Sequence, residues 1–516
     1  MCTPVVLFSK LLEVAITMYT GGALVAIPEL KMKSCLRSLG GQIDSMRTSC
    51  DLVLLSFAAL ACVVMPAAVL AQAVPQPAAP IDLNFDFSAG LSHAGYTRVD
   101  PTGVYTDAAG FGYEPGAQVA IGDGGNTTTS DRPFMFSAKV PEGNYNVTVT
   151  IGDSHEATTT TVKAESGRLM LERVEVPAGQ VVERTFTTNV RTAHLPKLPM
   201  NAPGREEVSL DRFDAANARD WDDKLTVEIV SPHAALRSIA ITSAPAATTI
   251  FIAGDSTVTD RDGGGDVSWG QLLPRFFKPG VAVSNHAQSG ETLKSFANAL
   301  RLDKILSQMK KGDYLFIQFA HNDSKDSWPQ TYVEPETTYK AYLKVYIAEA
   351  RLRGATPVLV TPMDRGVRGT GAPTHGHGGY PQAMREVAEE EHVPLIDLYN
   401  MSIVFYENAG ADAPKILADG THSTAYGGYE FAKCIVMGIK QSKLDLARFI
   451  ADDFRDFDPA HPDADAALNL GALFSNGRDG HGMSGGSGGA APTGTPGSAP
   501  VTVPPAGASN PGPGPL

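Results

Sequence analysis

TTIFIAGDST, from Thr248 to Thr257, is the stretch that decides the fold of the C-terminal half of this chain. Ile250-Phe251-Ile252-Ala253 is a continuous apolar run closed by Gly254, which predicts a strand buried on both faces of a parallel sheet. Such a strand presents Ser256 at its carboxyl edge, where open α/β sheets place their active sites. Working outward, the apolar segments VAVSNHA, YLFIQFA, TPVLVTP and PLIDLY alternate with the helical stretches SFANALRLDKILSQMK, TYKAYLKVYIAEARLRG and YPQAMREVAEEE. Five strands with intervening helices predict a doubly wound parallel sheet with right-handed crossovers and helices on both faces, over residues 248–445. A last helix, from about Ala425 to Lys440, is expected to bring the loop before it back to Ser256.

A serine hydroxyl is a poor nucleophile alone, so this reading requires a histidine base, a carboxylate to orient it and donors for an oxyanion. Asp419 and His422 lie three positions apart in DGTHSTAYGGYEFA, a spacing that lets the carboxylate hold one imidazole nitrogen while the other faces the serine. Two loops follow the next two strands, NHAQSGETLKSF and FIQFAHND. Gly290 can bring a backbone N–H close to a substrate oxygen, the Asn322 amide adds a second donor, and the amide of Ser256 a third. Asn322 could equally cap its own turn. A second Gly-Asp-Ser, Gly152 to Ser154, serves as an internal control: it follows the alternating run NYNVTVTI, the pattern of a half-exposed antiparallel strand, and is read as a structural turn.

Gly254–Ser256, the Gly290 loop, His321–Asp323 and Asp419–His422 resemble the four spaced blocks of the SGNH (GDSL-type) hydrolases. Within them, the NHAQSGETLKSF and QFAHND wording is similar to bacterial rhamnogalacturonan acetylesterases, over roughly Ile81 to Asp458. The resemblance implies a flavodoxin-like domain with Ser256 as nucleophile, His422 as base, Asp419 as its orienter and an oxyanion hole of Ser256, Gly290 and Asn322. It also implies a jelly-roll or galactose-binding-like module ahead of the catalytic domain. One departure is Ala320, where the third block more often has glycine. His286, Gln288 and His321 are candidate sugar contacts, with His321 also read as a residue holding loops together. No cofactor is implied. His375 and His377 in THGHGG have no clear third ligand and are read as part of a loop lining the cleft, not as a metal site.

The net charge is −14, from 42 basic and 56 acidic residues. That balance argues against nucleic acid or an anionic membrane surface as the main partner. It also requires a local basic or polar groove if the substrate is a polyanion such as pectin.

From Met46, MRTSCDLVLLSFAALACVVMPAAVLAQA carries a positive charge, an apolar stretch and a small-x-small cleavage site, so residues 46–73 read as a secretory signal and residues 1–45 as an upstream extension or misassigned start. Four of the five cysteines precede the cleavage point, leaving Cys434, which is read as a buried small hydrophobe. A linker over 74–80 leads to short alternating runs (FMFSAKV, YNVTVTI, TTTTVKAE, LERVEV, ERTFTTNV, KLTVEIV) that predict an all-β sandwich over 81–244. Its aromatics Phe85, Phe87, Tyr96, Tyr105, Phe111 and Tyr113 could be core or sugar platforms. Residues 446–474 form an acidic extension expected to pack as a surface cap, and 475–516 a Gly/Pro/Ser-rich tail expected to be disordered.

The expectation is therefore a secreted or periplasmic, monomeric serine esterase with no stable membrane insertion after signal cleavage, acting on acetylated plant polysaccharide, with rhamnogalacturonan deacetylation foremost. The alternatives are a GDSL-type lipase or thioesterase, an acetylxylan esterase, or a catalytically silent carbohydrate-binding protein.

Overall fold

The computed structural model describes residues 80–89, 94–122, 124–196, 204–210, 218–261 and 265–474. All of them belong to a single unit that begins at Pro80. The upstream extension, the signal segment, most of the linker and the tail from Ser475 lie outside the described residues. None of the described helices is long and apolar enough to cross a membrane.

The alternating segments form β1 (Asp82–Asp86), β2 (Thr97–Arg98), β3 (Phe111–Tyr113), β4 (Ala120–Ile121), β5 (Thr128–Ser130), β6 (Phe134–Lys139), β7 (Gly143–Ile151), β8 (Thr158–Ala164), β9 (Arg168–Val176), β10 (Val182–Val190), β11 (Lys224–Val230) and β12 (Ala234–Ser243). One sheet runs β10-β7-β12-β1-β2, with β5 added to β12 and β4 to β5; the other runs β3-β6-β11-β8-β9. In β7 every second side chain, Tyr145, Val147, Val149 and Ile151, is buried, so the period-2 pattern delivers one face to the core. Phe85, Phe87 and Tyr113 are buried and Phe111 packs against the same cluster, so most of the front aromatics are core; Phe87 meets Phe136 edge-on at 5.0 Å. Tyr96 and Tyr105 are half-buried at the rim. Strand β12 has no clean sequence signature, because Arg237 interrupts an alanine- and serine-rich run; a register shift between Leu236 and Ser238 accommodates the irregularity.

Four residues after β12 the chain enters β13 (Thr248–Gly254), followed by β14 (Val281–Asn285), β15 (Tyr314–Gln318), β16 (Thr356–Val360) and β17 (Leu395–Ile396). These five strands pair in parallel in the order β14-β13-β15-β16-β17. Sequence order reverses at β13, which lies between β14 and β15, so the crevice at the end of β13 is the switch point of the sheet.

The α-helices among residues 248–445 are α1 (Trp269–Leu272), α2 (Leu293–Asn298), α3 (Arg301–Gln308), α4 (Lys340–Leu352), α5 (Tyr380–Glu390), α6 (Leu398–Asn408) and α7 (Ala425–Gln441). The single helix expected over 295–310 is two, because Leu300 takes a left-handed φ of 64°. The break frees the Ala299 carbonyl for the Ser209 N–H and brings Arg301 to the His286 carbonyl at 3.1 Å. The strand expected through Tyr399 stops at Ile396, since Asp397 caps α6.

The acidic extension crosses the surface as a strap. Arg275 pairs with Asp453, Lys278 with Asp452, Lys440 with Asp456 and Lys433 with Asp463. At its end Leu470 and Phe474 are buried in the core of the catalytic domain, while Lys163 and Arg173 of the sandwich donate to the carbonyls of Leu473 and Asn469. Surface ion pairs contribute little, so this end of the extension is held mainly by the two apolar anchors, at ~1.5–3 kcal/mol each. Truncation after Asn469, which removes both, should therefore lower the unfolding free energy in a denaturant titration by roughly 3–6 kcal/mol. Truncation after Phe474 keeps both anchors and should leave the curve in place.

Candidate active site

Gly254 ends β13 with little room beside it: a Cβ there would lie 3.0 Å from Val258 and 3.1 Å from the Gln318 carbonyl. The next residue, Asp255, shapes the turn, its Oδ1 accepting the Thr257 N–H at 2.9 Å and the Thr257 hydroxyl at 2.8 Å. Burial opposes ionisation of Asp255, but the facing His321 and the Thr257 donors outweigh it and hold the carboxyl below its usual range. Ser256 thus sits on a rigid turn, 9% exposed.

On the other side of the crevice, Thr424 caps α7, and the DGTH loop precedes the cap. Gly428 lets α7 approach the chain before α1; a Cβ there would come within 2.4 Å of the Val267 carbonyl. The Asp419 carboxylate accepts the backbone N–H groups of Thr421 and His422, both at 2.9 Å, through Oδ1. Its Oδ2 faces His422 Nδ1 at 2.8 Å, and His422 Nε2 lies 2.9 Å from Ser256 Oγ. Although half-burial disfavours the Asp419 charge, the hydrogen bonds from His422 and Thr421 hold its carboxyl far below the usual range. An ionised Asp419 can only accept, so Nδ1 carries the ring proton and Nε2 accepts from the serine hydroxyl. The side chains of His422 and Asp419 are 24% and 35% exposed, leaving the chain of three open to solvent on one side.

Gly290 takes φ +83° in the loop after β14. Asn322, after β15, donates from Nδ2 to the Glu291 carbonyl at 3.0 Å, while Lys325 donates to its Oδ1 at 2.8 Å. These contacts set which end of the amide is the donor and leave its second N–H available. Among the described residues the backbone N–H groups of Ser256 and Gly290 donate to no protein acceptor. Ala320 adopts φ 155°, at the edge of the region that glycine favours, so the departure from the glycine of the resembled block carries backbone strain.

The three candidate sugar contacts are placed differently. His286 is fully buried: its ring packs edge-on to Trp221 at 5.4 Å and its Nε2 meets Ser284 at 2.9 Å. Its full burial leaves it no surface for a sugar to touch. His321 is buried 3.5 Å from Asp255 and edge-on to His377 at 4.4 Å. Burial depresses both rings, His377 to about 2, while Asp255 opposes the shift at His321. Neither has surface for a sugar to touch, so the reading of His321 as a loop anchor is the one its environment fits. Gln288 is also buried, its N–H on the Gly254 carbonyl at 3.1 Å. His375 donates its backbone N–H to Asp364 at 2.8 Å, which gathers the 374–376 loop.

Sequence reasoning did not single out Arg261 and Lys325 at this site. Arg261 donates to the Ser256 carbonyl at 3.2 Å; Arg365 donates to the Thr421 hydroxyl at 2.6 Å and the His321 carbonyl at 3.0 Å. The signal was available in Asp260-Arg261, separated from GDST only by Val258 and Thr259, and in Lys325 three residues after Asn322. The arrangement can deprotonate a serine through a neutral imidazole and receive an oxyanion on nearby donors, which is the equipment for acyl transfer.

Residues 252–428 match the model of the GDSL-like Lipase/Acylhydrolase family. The chain is 39% identical over 209 residues to the Bacillus subtilis protein named "Probable rhamnogalacturonan acetylesterase YesY", covering 39% of this chain and 96% of that one. It is 36% identical over 216 residues to rhamnogalacturonan acetylesterase RhgT of the same organism, covering 38% and 91% respectively. A third relative from that organism, the uncharacterized esterase YxiM, is 26% identical over 387 residues, covering 71% of this chain and 93% of its own length. With the end of β13, the Ser256 turn and the DGTH loop inside the matched span, the chain belongs to the GDSL-like lipase/acylhydrolase family and is an esterase of the SGNH type.

Proposed function

We propose that the protein is a secreted or periplasmic carbohydrate O-acetylesterase that removes acetyl groups from pectin, with rhamnogalacturonan as the preferred polymer. The observation that carries this reading is the unbroken Ser256–His422–Asp419 chain at 2.9 and 2.8 Å, on a domain similar to rhamnogalacturonan acetylesterases over nearly their whole length. Ser256 Oγ attacks the acetyl carbonyl carbon as His422 Nε2 takes its proton, and Asp419 stabilises the imidazolium that results. The amides of Ser256 and Gly290 and the side chain of Asn322 receive the oxyanion. The proton returns from His422 to the departing sugar oxygen, leaving acetate esterified to Ser256; water activated by the same histidine then releases it. No step calls for a cofactor. Arg261, Lys325 and Arg365 beside these residues fit an anionic polymer in spite of the overall charge of −14. We read the enzyme as monomeric, with a galactose-binding-like sandwich that supports the catalytic domain.

The test is acetate release, side by side, from acetylated rhamnogalacturonan and acetylated xylan, with p-nitrophenyl acetate and octanoate as small esters. The expected order is rhamnogalacturonan above xylan, with octanoate cleaved poorly. A preference for xylan would move the specificity to another polysaccharide, and rapid octanoate release would replace the reading with a lipase.

A further inference from the structure

The turn between β8 and β9 meets the catalytic domain at α1. Glu165 and Gly167 both take positive φ, 55° and 77°, and the turn projects its carbonyls at α1. Gln271 on that helix donates through Nε2 to the carbonyls of Ser166 at 3.0 Å, Gly167 at 3.2 Å and Arg261 at 2.9 Å. One amide nitrogen therefore ties the sandwich turn to the segment just after the serine. Gly167 takes a φ that L side chains rarely adopt, and a Cβ there would stand 2.8 Å from the same nitrogen, so the turn favours glycine.

Arg168 follows directly and is 1% exposed. Its Nε donates to Asp260 Oδ2 at 2.7 Å, its Nη2 to Asp220 Oδ1 at 3.1 Å and its Nη1 to the Asn189 carbonyl at 2.9 Å. Asp260 is only four residues beyond Ser256. Its other oxygen accepts Asn285 Nδ2 at 2.8 Å, and the same nitrogen reaches the Val258 carbonyl at 2.6 Å. Arg261 then closes the loop on the Ser256 carbonyl at 3.2 Å. The segment 256–261 is thus held between β14 of its own domain and a guanidinium from the sandwich. Both charges are buried, where hydrogen bonds between ions are strong and a lost partner leaves an uncompensated charge. Relatives matched over 96% and 91% of their length by little more than a third of this chain have no room for such a module.

We propose that Arg168 is a positioning residue of the esterase: the sandwich lends its guanidinium to Asp260 to hold the nucleophile loop in register, so the two domains form one catalytic unit. The proposal rests on Ser256 as the nucleophile. Arg168 touches no substrate and acts through Asp260; a loop released from one side lets Ser256 drift from His422, which lowers turnover while leaving substrate affinity nearly intact. Misplacement of about 1 Å costs on the order of a hundredfold in rate, and a loop still held by Asn285 and Arg261 loses only part of that.

The experiment measures kcat and KM for p-nitrophenyl acetate, and the rate of Ser256 labelling by a fluorophosphonate, in the full chain well below its melting temperature. Arg168→Met should lower kcat and the labelling rate at least about tenfold, with KM changed less than about twofold. Arg168→Lys keeps the charge but cannot span three acceptors, and should fall in between. Glu172→Gln serves as the control: Glu172 joins the domains through Arg275 and Tyr429 away from the nucleophile loop, and its loss should lower Tm without changing kcat. Parental kcat in folded Arg168→Met overturns the proposal, as does an equal kcat loss in Glu172→Gln, which would make the effect general docking. Should Arg168→Met not fold, parental kcat in Arg168→Lys overturns it. An active Ser256→Ala would instead bring down the nucleophile assignment, and the proposal with it.

Discussion

Ser256→Ala should abolish ester hydrolysis, by at least about 10⁴-fold in kcat, while Ser154→Ala leaves it within about twofold, the range of an ordinary surface substitution. The two serines share the same tripeptide but not the same surroundings. Ser256 follows a strand buried along its length and meets His422 Nε2 at 2.9 Å. Ser154 lies exposed after β7, where Asp153 caps the turn through the N–H groups of His155 and Glu156 and the nearest charged partner is Arg237 at 3.5 Å. Among the described residues no histidine nitrogen is hydrogen-bonded to its hydroxyl, although His155 and His233 lie in the same turn region. Circular dichroism establishes that both variants fold, and kcat with p-nitrophenyl acetate separates them; comparable losses in the two would remove Ser256 from the mechanism.

His422→Ala should cost several orders of magnitude, on the order of 10⁴-fold. Asp419→Asn should cost a comparable or smaller factor, since the amide can no longer hold the Nδ1–H tautomer. The pH profile separates their roles. Asp419 is kept far below the usual carboxylate range by donors from Thr421 and His422 that outweigh its burial, so it remains an anion throughout the accessible range. Only the unprotonated imidazole can accept the serine proton, so kcat/KM should fall on the acid side with the slope of a single proton. A profile flat from pH 5 to 9 would count against a histidine base. The depressed carboxyl also has a stability sign: it binds fewer protons folded than unfolded, so its contribution is present above the ordinary aspartate value of about 3.9 and is lost as pH falls below it. Acid unfolding of Asp419→Asn should accordingly show a weaker dependence on pH in that window than the parent.

Most of the catalytic domain was legible because its signals are short-range. The five apolar runs, the Gly-Asp-Ser turn and the Asp-x-x-His spacing each place their residues within one strand end or one helix cap. Six of the sandwich strands were legible for the same reason, as period-2 segments between turn residues. Strand β12 was not: its pairing with β1, β5 and β7 compensates for a sequence with weak alternation. Helix boundaries failed where a distant partner intervened, as at Leu300, whose left-handed turn serves Ser209 and His286. His286 shows the converse error, since a polar residue next to a catalytic block need not face the crevice.

The sequence by itself determined the parallel sheet, the identity of Ser256, Asp419 and His422 as candidates, and the change from an all-β to an α/β module near Ala244, because period, turn chemistry and i to i+3 spacing act over a few residues. Only the tertiary structure decided that the sandwich and the nucleophile loop share a buried charge network. Arg168 and Asp260 are 92 positions apart, and nothing local marks either as paired. Their interaction exists because folding removes both from water at one point, where an unpartnered charge would cost several kcal/mol. Desolvation is a property of the packed molecule, and that is why the link between the domains could be seen only there.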